Sequence, residues 1–316
     1  MLLKENFDFY DKTSLKSYNL DERMQYQLNR LETLDVFTRK HCENVANLVC
    51  RICEYLHCQK SFTEYCTICA YLHDIGKQFI PPSVLQKPGK LTDEEYEIMK
   101  THTTIGYNIC MKDEKLRPYA AGPYYHHEAL NGKGYPRGIS KKDIPYEGQI
   151  IRVADEYDAI VSKRQYKSHI GISDTLKIII ENTKPNEQIK SSDALGEVAL
   201  NSRMGKDNPI IVKTLFKVVI DDIGFEIYNS QKYIDSLKDS IKRLDKAKKY
   251  KEKMEKVKSE KDKNYYLEGI KMYLEYGETI ENFEQIYSNY NDAYNKRKLS
   301  IDNLYKEIKT IKKLKI

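Results

Sequence analysis

The residues best equipped for chemistry in this 316-residue chain are its histidines. Five of the seven, His41, His73, His102, His126 and His127, fall in short segments that also carry carboxylates. His73 precedes Asp74 in YLHDIGK, and His126 and His127 stand side by side ahead of Glu128. Asp155 lies in IIRVADEYDAIVS with Asp158 three residues on, a neighbour on a helix surface. A carboxylate has two oxygens, so Asp74 can bridge two cations. Mixed imidazole and carboxylate donors suit Fe, Mn, Zn, Co or Ni and do not suit a lone Mg. Five imidazoles with Asp74 and Asp155 exceed what one tetrahedral ion can use. They fit two ions that share a carboxylate and a bridging hydroxide. Such sites cleave phosphate esters by in-line attack while both ions neutralise developing charge.

The elements that must position these groups read as helices and one loop. His41 shares a face with Val45, Leu48, Val49 and Ile52, so the spacing turns it inward. His102 is expected to share an inward face with Ile98, Met99 and Ile105. A single histidine on an apolar face is usually a satisfied core residue; several converging ones point to a site. The helix ahead of His73 is expected to end at Gly76, which can take a left-handed cap conformation. The HHE segment runs into a glycine-rich turn, Asn131-Gly132-Lys133-Gly134-Tyr135-Pro136.

HDIGK, HHE with NGKGYP, and RVADEYDAIVSKRQYK, in that order, resemble the HD-GYP domain, the branch of the HD phosphohydrolases that hydrolyses cyclic di-GMP. IPPSVLQKPGKLTDEEYEIMKTHTTIGYNI and PRGISKKDIPYEGQI extend the resemblance over about residues 24–228. It implies an all-α fold, an HD-type helical bundle followed here by a long helical hairpin or coiled coil. It implies a bridging hydroxide on two divalent transition metals, Fe or Mn before Zn, Co or Ni. His41, His73, Asp74 and Asp155 would hold one ion, and Asp74 would bridge to a second held by His102, His126 and His127. Lys77 would steady the scissile phosphate beside Asp74 in the catalytic step. Arg164 and Lys167 would contact substrate phosphates, and Gly134, Tyr135 and Pro136 would shape the substrate mouth. The substrate would be cyclic di-GMP and the products pGpG and then GMP. Phe37 stands where some members carry a glutamate for a third metal, so two are expected. Asn44, Ala129, Leu130 and Gln165 also depart from the usual pattern, which bears on preference among cyclic dinucleotides. Another cyclic dinucleotide or nucleotide as substrate, and a non-catalytic ligand-binding scaffold, are the competing readings. The complete ligand set favours catalysis.

Composition bounds the rest. Charged residues make up 32% and no apolar run is long enough for a membrane span, so no membrane insertion is expected. The start lacks the apolar core of a secretory signal, and seven cysteines fit reduced thiols, so a cytoplasmic protein is expected. Cys50-x2-Cys53 and Cys66-x2-Cys69 have a zinc-ribbon spacing, but their segments have helical periodicity and no Gly-rich knuckles, which favours core packing. The net charge of +6 is uneven: residues 229–316 carry +7 and the remainder −1. A basic groove for DNA or RNA polymers in the main domain is therefore not expected. Three parts follow: a lead segment 1–23, a catalytic domain 24–228 and a helical appendage 229–316. Residues 183–206 look like a polar insertion. In the appendage Ile280, Phe283, Tyr287, Tyr290, Tyr294, Arg297, Ile301, Leu304, Ile308 and Ile311 form a 3-4 stripe broken only by Arg297. A hairpin partner within the chain or a homodimer could bury that stripe.

Overall fold

A computed structural model describes residues 20–34, 36–164, 172–185 and 204–315. Among these, regular structure is helical, with one isolated antiparallel bridge between Asn131 and Ser140. The order is α1 (Glu22–Leu34), α2 (Val36–Tyr55), α3 (Lys60–Leu72), a 3-10 turn (Ile75–Phe79), α4 (Pro82–Leu85), α5 (Asp93–Lys112), a 3-10 turn (Arg117–Tyr119), α6 (Ala121–Tyr125), α7 (Tyr146–Arg164) and α8 (Ile172–Thr183). Then come α9 (Pro209–Met254), α10 (Glu260–Lys271) and α11 (Phe283–Ile311). The chain forms two compact units that part after Ile220, within α9. Most of the lead segment and most of the 183–206 insertion lie outside the described residues.

In the first unit α2 packs against α3 and α7, and α5 packs against α6 and the Ile75–Phe79 turn. Val45, Val49, Ile52, Cys53, Cys66, Cys69 and Leu72 are completely buried on α2 and α3, and Cys50 is nearly so. The four cysteines with ribbon-like spacing thus sit in the core as small apolar side chains. Helix α5 starts at a reciprocal cap: Glu95 N–H donates to Thr92 Oγ1, and Thr92 N–H donates to the Glu95 carboxylate. His102 faces inward as its spacing indicates, but its companions differ. The buried stripe of α5 is His102, Thr103, Gly106 and Cys110, whereas Ile98 is exposed and Met99 and Ile105 are half-buried. Small residues decide this, because α5 lies too close to its neighbours for an isoleucine face. A Cβ on Gly106 would lie 2.8 Å from Pro123 Cβ. Likewise a Cβ on Gly122 would lie 2.2 Å from the Cys69 carbonyl oxygen, so α6 rests on the backbone of α3.

The second unit, Asp221–Lys312, contains a helical hairpin. Leu244 and Ala247 of α9, Ile270 of α10 and Phe283 of α11 form a fully buried cluster. Lys251 pairs with Glu284 at 3.2 Å, Lys248 lies over Tyr287, and Arg297 lies over Tyr233, so α9 and α11 run antiparallel. The one charge in the apolar stripe is therefore accommodated by an aromatic face. Gly277, at φ +86°, turns the chain between α10 and α11. Arg243 clamps that turn: its Nη1 and Nη2 donate to the two Glu278 oxygens at 2.6 and 2.7 Å, and Nη1 also donates to the Tyr273 carbonyl. Arg243 holds the Glu278 carboxyl below its ordinary value. That stabilisation is fully present above the unfolded carboxyl value of about 4.3 and is lost as pH falls through the lower folded value. Arg243→Ala should cost about 1 kcal/mol at pH 7. The difference from wild type should narrow as pH falls below about 4.3 in urea unfolding followed by circular dichroism, leaving the part due to the Tyr273 carbonyl.

Candidate metal centre

The HD pair follows directly on α3. His73 Nδ1–H donates to the Ala70 carbonyl at 2.7 Å, and His102 Nδ1–H donates to the Met99 carbonyl at 2.6 Å. His126, at the end of α6, donates its Nδ1–H to the Gly122 and Pro123 carbonyls, each at 3.0 Å. A carbonyl can only accept, so each ring keeps its proton on Nδ1 and turns a lone pair inward from Nε2. The Nε2 atoms of His102 and His126 face each other at 3.2 Å. Two lone pairs so placed repel unless a cation lies against both. His73 Nε2 and Asp74 Oδ1 are buried without a hydrogen-bond partner. Buried polar atoms of this kind call for a ligand.

Asp74 stands between two sets of donors. Its Oδ2 is 3.3 Å from His73 Nε2 and 3.8 Å from His41 Nε2, while its Oδ1 is 3.4 Å from His102 Nε2 and 3.9 Å from His126 Nε2. His41, His73 and Asp155 form one group, and His102, His126 and His127 form the other, with the ligating atoms of each within 4.8 Å of one another. All seven sequence-derived donors are thus brought together from α2, the α3 end, α5, the α6 end and α7. Burial pushes the His102 imidazole down to about 4 and, with neighbouring imidazoles, holds His126 and His127 well below the ordinary value. Burial opposes ionisation of Asp74, but Lys77, with Nζ 2.5 Å from Oδ2, and the imidazoles keep it well below the carboxylate range. His41 behaves differently. Burial acts against its charge, but Asp155 at Nε2 (2.9 Å) and Asp158 at Nδ1 (2.7 Å) lift it to about 10. Neutral imidazoles and ionised carboxylates are the forms that bind metals; His41 takes that form on giving up its Nε2 proton, and the donor set as a whole fits borderline divalent ions.

An HD domain family model matches residues 20–186, more than half of the chain. The chain belongs to the HD domain family. The cyclic di-GMP phosphodiesterase of Thermotoga maritima is 41% identical over 173 residues, covering 52% of this chain and 47% of that protein. The cyclic di-GMP phosphodiesterase response regulator RpfG of Xanthomonas campestris is 37% identical over 154 residues, covering 47% of this chain and 41% of that protein. The 3'3'-cGAMP-specific phosphodiesterase 2 of Vibrio cholerae is 41% identical over 96 residues, covering 30% of this chain and 18% of that protein. The chain spans less than half the length of these curated relatives.

The remaining parts of this HD domain site follow from its loop. Gly134 has no room for a side chain: a Cβ would lie 2.4 Å from the His127 carbonyl oxygen and 2.3 Å from Ala129 N. Tyr135 N–H donates to that same His127 carbonyl at 3.1 Å, and the Tyr135 ring stacks on the His127 imidazole at 4.5 Å. The next peptide, Tyr135–Pro136, is cis. Glu128 fastens the far side of the loop, its carboxylate accepting the N–H groups of Arg137 (2.7 Å) and Ile139 (3.0 Å). Arg164 ends α7, while its side chain, Gln165 and Lys167 lie outside the described residues.

Sequence reasoning left two neighbours of the centre without roles. Asp158 orients His41 through Nδ1, and its i,i+3 spacing from Asp155 was the available signal. Cys42 is buried beside His73 and Asp74, for which adjacency to His41 was the only hint. Gly76 is a correction. Helix α3 stops at Leu72, and Gly76 sits inside the following 3-10 turn, outside the positive-φ glycines. Its reason is contact: a Cβ there would lie 1.9 Å from the His102 carbonyl oxygen and 2.7 Å from Gly106 N. Gly76→Ala should therefore push α5 off the HD turn, at a cost of about 1–3 kcal/mol. A lower melting temperature together with less bound transition metal per chain is the expected result of calorimetry and elemental analysis.

Proposed function

We propose that this HD domain is a metal-dependent phosphodiesterase that opens cyclic di-GMP to linear pGpG and cleaves that product further to GMP. The observation that carries the reading is the pair of proton-free Nε2 atoms of His102 and His126 facing each other at 3.2 Å, beside the unpartnered Asp74 Oδ1. His41, His73, Asp74 and Asp155 would hold one ion, and Asp74, His102, His126 and His127 the other. Two such ions supply Lewis acidity, activating water for in-line attack and offsetting charge on the phosphate. The chain's own part is positioning. Carbonyl-bound Nδ1 protons hold three imidazoles with lone pairs inward, and Asp158 fixes the His41 ring. Lys77 keeps an ammonium at the Asp74 carboxylate, where it steadies a bound phosphodiester and the charge gathering on the departing 3′ oxygen. Arg164 and Lys167 would add cations for the substrate's phosphates. Catalysis would rest with residues 24–228, and the helices of 229–316 would form an appendage.

The likeness to a cGAMP-specific enzyme favours one second reading, the same chemistry on 3'3'-cGAMP. Both readings are tested by anaerobic purification, elemental analysis and turnover of cyclic di-GMP, 3'3'-cGAMP and cyclic di-AMP with added Mn or Fe. The expected outcome is bound transition metal, pGpG as the first product, and loss of turnover to background in Asp74→Ala. Equal turnover in that variant would falsify the mechanism, and faster cleavage of cGAMP would reassign the substrate.

A further inference from the structure

A cavity of 590 Å³ opens on His127 and Asp155 at the edge of the centre. That volume lies within the roughly 300–1,000 Å³ typical of small-molecule sites. Tyr96 and Tyr135 form an aromatic wall, their rings perpendicular with centroids 6.4 Å apart, and Tyr96 is 45% exposed. Arg152, Lys133 and Lys206 bring three cations. Arg152 is already engaged: its Nε donates to Asp207 at 2.7 Å and its Nη1 to the His127 carbonyl at 3.4 Å. Lys133 and Lys206 have no ion pair among the described residues. Both are nevertheless fixed in place by their backbones. Lys133 N–H donates to Asn131 Oδ1 at 3.1 Å, and the Lys206 carbonyl accepts the Leu130 N–H at 2.9 Å. The two lysines thus flank one loop, the one that follows the His126–His127 pair.

Asp155 also lines this cavity, and its carboxylate disfavours an anion unless cations oppose it. The ammoniums of Lys133 and Lys206, neither held in a close ion pair, do so. A cyclic dinucleotide carries two phosphodiesters, of which the centre can attack one at a time. The other must lie away from the centre while its charge is met. We infer that the cavity is the subsite for the uncut half of the dinucleotide, with Lys133 and Lys206 taking its phosphodiester and Tyr96 and Tyr135 offering π-faces to its nucleoside. The inference rests on the phosphodiesterase reading above and adds Tyr96, Lys133 and Lys206, to which the sequence motifs give no role.

Two readouts test it on the full chain. The first is equilibrium binding of cyclic di-GMP to chelator-treated protein by calorimetry. The second is the ratio of kcat/KM for cyclic di-GMP to that for bis(p-nitrophenyl) phosphate, a diester with a single phosphate. Lys206→Ala and Lys133→Ala should each weaken binding and lower the ratio roughly tenfold, as expected for losing a charged contact. Lys206→Arg should retain most of both. An unchanged Kd and an unchanged ratio in the double alanine variant would overturn the subsite. Failure of wild type to cleave either diester would instead sink the phosphodiesterase reading, and the binding arm would still decide the lysines.

Discussion

The ionised carboxylate of Asp74 is the group on which the arrangement of the first unit depends. It is almost completely buried, and a buried charge is costly unless it is compensated. Compensation from the chain itself comes from Lys77 on one oxygen, while the imidazoles turn lone pairs toward both. Because each oxygen faces a different group of donors, one side chain joins α2, α5 and the end of α6 to the end of α3. The facing nitrogens of His102 and His126 mark where the protein's own groups leave the account unbalanced. Divalent cations in that space would restore the balance, which connects the fold's electrostatics to its chemistry.

Close backbone contact makes this geometry attainable. Gly76 lets the α5 backbone rest on the HD turn, Gly122 lets α6 rest on α3, and Gly134 lets the loop lie on the His127–Ala129 backbone. Each contact places a candidate metal donor, respectively His102, His126 and His127. Backbone carbonyls three or four residues earlier in the chain then do a second task. They accept the Nδ1 protons and so fix the tautomer of the rings they support. The same segments that build the core thereby set the direction of the lone pairs.

The second unit follows simpler physics. Its stripe of spaced apolar and tyrosine residues is covered by α9 and α10 of the same chain at Leu244, Ala247 and Ile270. Arg297 is tolerated because it lies over Tyr233, and Arg243 locks the turn through Glu278. Several lysines of this unit pair with acids three or four residues away on exposed helix faces, as with Lys249 and Asp245. Its positive charge is thus distributed along solvated helices.

The sequence alone determined the helical class and the family motifs, and it singled out the seven candidate donors. Ligand chemistry restricts residue type, and helical periodicity restricts which residues turn inward. It did not reveal why Gly76 is a glycine, since the reason is the His102 carbonyl, 26 positions away in the chain. It placed His102 inward but named Ile98 as its companion, because periodicity reports a face and not how near the facing helix comes. The orienting role of Asp158 and the convergence of Lys133 and Lys206 on one cavity were decided only by the tertiary structure. Each is a distance between residues far apart in sequence, and such distances are set by the packing of helices against one another.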